Sequence, residues 1–292
     1  MLTNEDKNFL ALYSDSEYEK PSVTVDAVIF RIKSEQSENY RKLPQKKLQV
    51  YLTNRQYPPF KNHYSVIGTF IDLQHELNET MKLCVKNKVN LDNYYFEQLF
   101  TFGEKSRDPR ARVLSVSYML LTNQDEKLSN GEWFDVEIAE TESNITKNNN
   151  GYLISKEIVL TLSNQNNKLQ NVLEIKNEKN GLEETKTINI KNTVLAFDHI
   201  NIIYHALERL KNKLEYTDII FNMLPKEFTL TELKQCYELI LGEHLLDANF
   251  RRKIAKMVMT INKYADAKGH RTSQLFVHNP NWLNINIDWQ KI

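Results

Sequence analysis

Between Pro21 and Ile32 the chain reads PSVTVDAVIFRI, rich in β-branched residues with a partial period of two, and LQVYLT at Leu48 to Thr53 repeats that style after a charged gap. Two strands joined by a long polar loop are expected. HYSVIG, following the Pro58-Pro59 turn, predicts a third strand ending at Gly68. Beyond it, Leu77, Met81, Cys84 and Val85 carry the spacing of a helix with one buried face, which puts Cys84 in the core stripe. Tyr94 to Phe102 and Arg112 to Leu121 (RVLSVSYMLL) predict two more strands, the second apolar enough to be central. The pattern therefore gives a mixed sheet with at least one packed helix.

From Glu142 to Asn192 the texture turns to Asn, Lys, Glu and Ser, yet YLISKEIVLTL and NVLEIKN still alternate as strands do. A β-hairpin extension with polar loops is expected there; the composition also suits a partly disordered insertion. At Asp198 the period becomes helical. Ile200, Ile203, Leu207, Leu210 and Leu214 form one stripe, and the Asp198 carboxylate is placed to cap the helix. This marks a boundary between a domain at 1–195 and a second at 196–292.

In the second domain Thr229 and Glu232 have capping-box spacing, Leu230, Leu233, Tyr237 and Ile240 supply an apolar face, and Gly242 is a natural stop. Asp247 is placed to cap another helix from Ala248 to about Met257, with Phe250, Ile254 and Met257 facing inward. Met257 to Tyr264 and Arg271 to Val277 read as strands around a turn at 266–269. The order is that of a helix-turn-helix followed by a wing. The expected class is α+β throughout.

Charge changes this picture only locally. The 292 residues hold 38 Lys plus Arg and 38 Asp plus Glu, which excludes a uniformly basic nucleic-acid coat but permits a basic patch. One such patch exists: Arg251, Arg252, Lys253, Lys256, Lys263, Lys268 and Arg271 stand against the single acid Asp266 between Asn249 and Thr272. On the second helix of a helix-turn-helix, Arg can pair with guanine, Asn with adenine and Lys with phosphate. Thr229, Asn249, Arg251, Arg252, Lys253, Lys256, His270, Arg271 and Thr272 are the candidate DNA-contacting residues. A solvated helix face is the plainer reading of the charges alone. Two distant cysteines without CxxC spacing suggest neither a zinc site nor a disulfide, and no run is long enough to span a bilayer. A cytoplasmic protein with no membrane segment, metal or cofactor is expected.

The order VTVDAVIFRI, LQVYLTNRQYPPFKNHYSVIGTFID, helix, EKSRDPRARVLSVSYMLL resembles the Nudix family, in its regulator branch. The family's metal-binding motif runs Gly, five residues, Glu, seven residues, Arg-Glu, an aliphatic, any residue, Glu-Glu, any residue, Gly, an aliphatic. Aligned without a gap, its opening Gly falls on Thr69 and its first Glu on His75. The arginine falls on Leu83, the next Glu on Cys84, the Glu-Glu pair on Asn87 and Lys88, and the closing Gly on Asn90. Mg²⁺ needs hard anionic oxygens, so the hydrolase reading is poor. Glu76 and Glu79 are the remaining acids through which a pyrophosphatase with non-standard metal ligands could act; the alternative for them is an acidic first turn favoured by the helix dipole.

The segment LAFDHINIIYHALERLKNKLEYTDIIFNMLPKEFTLTELKQCYELILGEHLLDANFRRKI is similar to the C-terminal domain of NrtR-type Nudix-related transcriptional regulators. The likeness covers Pro21 to Leu121 and Leu195 to Val277, and FDH, LEYT, FTLTELK and NFRRK stand in the family's order. It implies a Nudix-like domain that senses a metabolite, ADP-ribose or another NAD-related compound, or in a sister group arabinose, and a winged helix that binds operator DNA. A homodimer is expected because a single winged helix makes few base contacts, whereas a two-fold pair reads two half-sites. Within the implied sensor, Arg107-Asp108-Pro109-Arg110 matches the family's RDPR loop. Arg31, Arg55, Arg107 and Arg110 suit a pyrophosphate because guanidinium forks meet paired oxygens, while Phe60 could stack on an adenine or belong to the core. Arg107 and Asp108 could instead pair with each other. A metabolite-responsive regulator without catalysis is thus expected, with a Nudix hydrolase and a protein-binding adaptor as rivals.

Overall fold

In the first strand, β1 (Ser22–Glu35), Val25, Ala27 and Ile29 fall on one face and Val28 and Phe30 on the other, and all five are buried. Such a strand needs a layer on each side of its sheet. The computed structural model describes residues 2–14, 19–35, 44–125, 128–148, 150–265 and 272–282. A short helix, α1 (Asn4–Leu12), precedes β1 and buries none of its residues. After β1 come β2 (Gln45–Asn54), β3 (Tyr64–Ser65), β4 (Ile67–Phe70), α2 (Leu77–Val89), β5 (Tyr95–Phe102) and β6 (Val113–Leu121). The strands β7 (Glu132–Asn148), β8 (Gly151–Ser163), β9 (Lys168–Asn180) and β10 (Glu183–Asn192) follow.

Among the described residues ten strands form one sheet, its main path ordered β10-β9-β8-β7-β2-β1-β6-β5. β1 runs parallel to β6; along its other edge β4 pairs with Thr24–Ala27 and β2 with Phe30–Glu35. The expected single strand at HYSVIG is broken at Val66, with one half pairing β2 and the other β1. The expected hairpin is a four-stranded antiparallel meander. It starts ten residues earlier than the compositional change, at Glu132, and joins the main sheet through β2. β6 is interior rather than central, lying one strand from the β5 edge.

On one face of the sheet α2 packs Met81, Val85 and Val89 against Val25, Ala27, Ile29 and Ile67. Cys84 joins this buried stripe, and burial raises its thiol pKa to about 11. The other face is covered by α3 (His199–Lys213), whose Ile200, Ile203, Leu207 and Leu210 meet Val28 and Phe30. A 3-10 turn at Ile219–Met223 leads to α4 (Leu230–Leu241) and α5 (Asp247–Ile254). The hairpin β11 (Val258–Ala265) and β12 (Ser273–His278) closes the described structure. Core residues of α4 and α5, including Leu233, Tyr237 and Phe250, belong to the same apolar cluster as α3.

The capping box at Thr229 is formed: Glu232 N donates to Thr229 Oγ1 at 3.2 Å, and Thr229 N donates back to Glu232 Oε2 at 2.9 Å. Gly242, at φ 73°, ends α4 in the left-handed region that glycine occupies without strain. Two expected caps are not formed by their side chains. Asp198 and Asp247 make no cap hydrogen bond; Asp247 is the first residue of α5, after Leu246, and its carboxylate pairs with Lys234 at 2.5 Å. Since Lys234 belongs to α4, where it also lies 3.5 Å from Glu238, its pair with Asp247 ties α4 to α5.

Candidate functional site

Asp26 interrupts the apolar run of β1 and is nevertheless buried, so its carboxylate needs partners. Ser115 Oγ donates to it at 2.5 Å and Thr24 Oγ1 at 3.3 Å. The Arg107 guanidinium lies 3.9 Å away. Opposite Asp26, β4 presents Gly68, where a Cβ would stand 1.9 Å from Asp26 Oδ1; only glycine allows this approach. Here, between β1, β4, the end of β2 and the start of α3, the fold leaves a cavity of about 420 Å³.

The cavity is cationic. Arg55, Lys88, Arg107 and Arg110 line it against Asp26 and Asp108. Arg107 is held from behind: its Nε and Nη2 donate to the two Asp198 oxygens at 3.0 and 2.8 Å. Asp108 does not pair with Arg107 but with Arg110, which donates to it through Nε at 3.0 Å and Nη2 at 2.7 Å. Burial raises the Asp108 pKa, but the hydrogen bonds from Arg110 outweigh it and hold the carboxyl below its ordinary value. Arg55 donates through Nε to Pro59 O at 3.0 Å and lies 4.8 Å from the centre of the Phe197 ring. No carboxylate forms an ion pair with Arg55 or Lys88 among the described residues. Two cations are thus left for an anionic guest.

Phe60 and Phe197 both adopt positive φ, 59° and 55°, and their rings meet edge-on at 4.8 Å. Left-handed backbone at a bulky residue costs on the order of 1–2 kcal/mol, so the surroundings must hold it. Phe60 is partly exposed and does not line the cationic cavity; it borders a neighbouring one with Phe197. His199 does line the cationic cavity. It is buried, its Nδ1 has no partner among the described residues, and burial lowers its pKa.

Arg31 is not brought to the cavity. Side chains alternate along a strand, so Arg31 takes the face opposite Thr24 and Asp26, five residues further on. It lies over Trp133 at 4.1 Å and donates to Gln49 Oε1 at 2.9 Å. Sequence reasoning passed over Asp26, Lys88, Phe197 and His199 as cavity residues. An acid inside VTVDAVIF was the available signal for Asp26.

The residues that the ungapped comparison sets against the Nudix metal-binding motif make other contacts in the fold. Lys88, in the last turn of α2, donates to the Gly68 carbonyl at the cavity wall. Glu79 accepts from Glu76 N at 3.1 Å, so these acids form the first-turn box of α2, and neither lines the cavity. Among the described residues no three His, Cys, Asp or Glu side chains converge as a metal site would require. An ammonium on the wall and acids engaged at the helix start do not fit a Mg²⁺ cluster.

In the second half, Asn249, Arg251, Arg252, Lys253 and Lys256 are all exposed on or just after α5, while Phe250, Ile254 and Met257 face inward. Arg252 donates to Asn249 Oδ1 at 3.2 Å, and Lys253 lies 5.5 Å from the Tyr237 ring centre. None of the four cations pairs with an acid among the described residues. Thr229 is buried and its hydroxyl is spent in the capping box, which removes it from the DNA-facing set. Thr272 is exposed beside β12; His270 and Arg271 lie outside the described residues. Phe228 exchanges two backbone hydrogen bonds with Phe276, at 3.1 and 2.8 Å, a single antiparallel bridge that fixes the hairpin beside the start of α4.

Residues 220–277 match the NrtR DNA-binding winged helix domain. A protein of Acinetobacter baylyi, the "ADPR responsive transcriptional repressor NtrR", is 28% identical over 284 residues, covering 94% of this chain and 88% of that protein. The chain is similar to the NrtR-type regulators. In fold, NrtR of Shewanella oneidensis, solved with a 27-mer DNA, superposes with a TM-score of 0.58 at 23% identity, over 90% of this chain and 95% of that one. A MutT/nudix family protein of Enterococcus faecalis superposes with a TM-score of 0.61 at 24% identity, over 96% and 100%. The NrtR-type architecture, a Nudix-like mixed sheet followed by a winged helix, is therefore the fold of this chain. Among the described residues no helix is long and apolar enough to cross a membrane.

Proposed function

We propose that this protein is a metabolite-responsive transcriptional regulator. Its first part, residues 1–195, binds ADP-ribose or a related diphosphate-bearing NAD metabolite, and the winged helix in residues 196–292 binds operator DNA as a homodimer. The observation that carries this reading is the Arg107–Asp198 pair, which joins the wall of a cationic cavity to the start of the helix leading into the winged helix. Arg55, Arg107, Arg110 and Lys88 are the candidate partners of the diphosphate, with Asp108 orienting Arg110 and Phe197 beside Arg55. Exposed Arg251, Arg252, Lys253 and Lys256 suit phosphates and base edges, and Asn249 suits adenine. The related A. baylyi repressor supports both halves of the reading.

The protein is further proposed to bind without hydrolysing, because Lys88 stands where a Nudix enzyme would place a metal-holding carboxylate. A cytoplasmic setting follows from a DNA target. The test is selection of bound duplexes from a randomised DNA pool, followed by titration of the selected complex with ADP-ribose. A selective change in DNA affinity on adding ADP-ribose, with no AMP released in the presence of Mg²⁺, is expected. Absence of any selected sequence would remove the DNA half. Turnover of ADP-ribose lost in Glu76→Gln or Glu79→Gln would establish the hydrolase instead.

A further inference from the structure

From Thr3 to Tyr13 the chain reads TNEDKNFLALY, and its first turn is fixed locally: Asp6 N donates to Thr3 Oγ1 at 3.1 Å, and Thr3 N donates to Asp6 Oδ2 at 2.7 Å. A helix of nine residues is too short to persist on a cap alone. Yet α1 buries none of its residues, and Phe9, Leu10, Leu12 and Tyr13 are all exposed, the Phe9 and Tyr13 rings meeting with centres 5.7 Å apart. Glu5 and Asp6 make one end of α1 acidic; the other end is apolar.

A second exposed apolar surface lies on the same chain. Phe70 ends β4, Leu73 and Leu77 lead into α2, and Leu83 stands on the outer face of α2 in line with Glu79 and Lys86. The last turn of α2 carries Lys86 and Lys88. Laid antiparallel on this surface, α1 sets Phe9 and Leu10 on Leu83, Leu12 and Tyr13 towards Leu77 and Leu73, and Glu5 beside Lys86, which already pairs with the exposed Asp92 at 2.6 Å. A parallel placement would bring Glu5 and Asp6 to Glu76 and Glu79 instead. Solvated ion pairs are worth little, so the apolar contact holds the helix and the charges set its direction.

The arm also leaves the sheet next to this surface. Ile71 N donates to Val23 O at 3.0 Å, so the start of β1 lies alongside the connection from β4 to α2. The nine residues 13–21 join α1 to β1 and span at most about 30 Å. Two copies facing each other across a two-fold axis here can exchange arms with little travel, and the contact is then made twice. Doubling brings the covered area towards the roughly 1,200–2,000 Å² of a stable interface.

We propose that α1 is an exchanged arm, packing antiparallel on the surface formed by Phe70, Leu73, Leu77 and Leu83 of a second copy of this chain. The inference rests on the homodimer of the functional reading and names the surface that forms it. Phe70 also lines the cationic cavity, so the partner's arm completes the rim of that cavity.

The test is cross-linking of the full chain with a short bis-maleimide. Protein carrying Leu12→Cys, mixed with protein carrying Leu73→Cys and left to exchange subunits, should give a covalent dimer that neither gives alone; Cys84 and Cys236 are buried and do not compete. In sedimentation, Phe9→Glu with Leu10→Glu should raise the dimer dissociation constant roughly a hundredfold, tenfold for each of the two contacts, and Leu73→Glu should raise it too. These positions are exposed in the single chain, so the variants keep its fold. A wild-type chain that is monomeric at every concentration removes the homodimer and this proposal with it. A dimer that gives no mixed cross-link, or whose dissociation constant neither variant moves, overturns the arm exchange and leaves the homodimer standing. A cross-link formed only within a chain carrying both cysteines puts α1 on its own sheet and overturns the exchange as well.

Discussion

Replacing Asp198 by alanine removes both acceptors from a guanidinium whose side chain is 4% exposed, while Asp198 itself is 9% exposed. Breaking a buried pair on one side costs about 3–5 kcal/mol, because the remaining charge stays desolvated. Asp26 Oδ2, at 3.9 Å from Arg107 Nη2, softens this penalty without replacing the two-pronged geometry. The expected loss for Asp198→Ala is therefore near 3 kcal/mol, at the lower end of that range. Urea denaturation of wild type, Asp198→Ala, Arg107→Leu and the double variant measures it as a cycle. The double variant should be more stable than Asp198→Ala, since it no longer buries an unpaired cation. A second readout separates ligand chemistry from packing: inorganic pyrophosphate should stabilise Asp198→Ala more than wild type, because the freed guanidinium faces the cavity. A loss below 1 kcal/mol with no coupling in the cycle, or equal stabilisation by pyrophosphate, would refute this account of the pair.

Protonation gives a further expectation. Burial lowers the pKa of His199 and of His205, so each stays neutral in the fold while the unfolded chain takes up its proton. Their contribution is complete above the ordinary histidine range near 6.5 and is lost as pH falls below it, by at most about 1.4 kcal/mol per pH unit for each group. Denaturation curves at pH 7.5 and 5.5 should show this fall, and His205→Phe should flatten it. In the reading head, Arg251→Ala with Arg252→Ala should reduce the slope of log affinity against log salt by up to roughly 2, measured by fluorescence anisotropy on duplex DNA. An unchanged slope would point to a protein partner for this surface. Thr229→Ala should cost about 1 kcal/mol in stability through the lost cap and leave the salt slope as it was.

Much of the scaffold could be read from periodicity because each element makes its own buried face. β1, β2, α2, α3 and α4 carry strong alternation or helical stripes, and their cores follow those stripes. The meander shows the limit of that reasoning. Alternation in YLISKEIVLTL marks a strand, but the pairing of β7 with β2, which merges the segment with the main sheet, depends on residues about eighty positions apart. The same limit governs the cavity. Asp198 reads as a cap because it precedes a helical stripe, yet Arg107, ninety-one residues earlier, takes its carboxylate. Arg31 reads as a pocket residue by its type; parity along β1 sends it to the other face. Lys88 was visible as a departure from an enzyme's motif, but its contact with Gly68 required the fold.

The position of Asp198 also constrains how any effector could act on the reading head. An anion that leaves the Asp198 pair intact, and whose contacts with Phe197 and His199 are the same in every arrangement of α3, shifts nothing. Coupling through this pair requires an effector that competes for the guanidinium, so that its affinity differs between the paired and released states. A released Asp198 carboxylate would lie at the start of α3, where a negative charge favours the helix dipole, which limits the cost of releasing it. At the other end of α3, Leu210 and Leu214 share a core with Leu233 and Tyr237 of α4. Close-packed side chains transmit a displacement of the helix rather than absorb it. A diphosphate that draws Arg107 away from Asp198 therefore acts where the cavity and the winged helix share one rigid element.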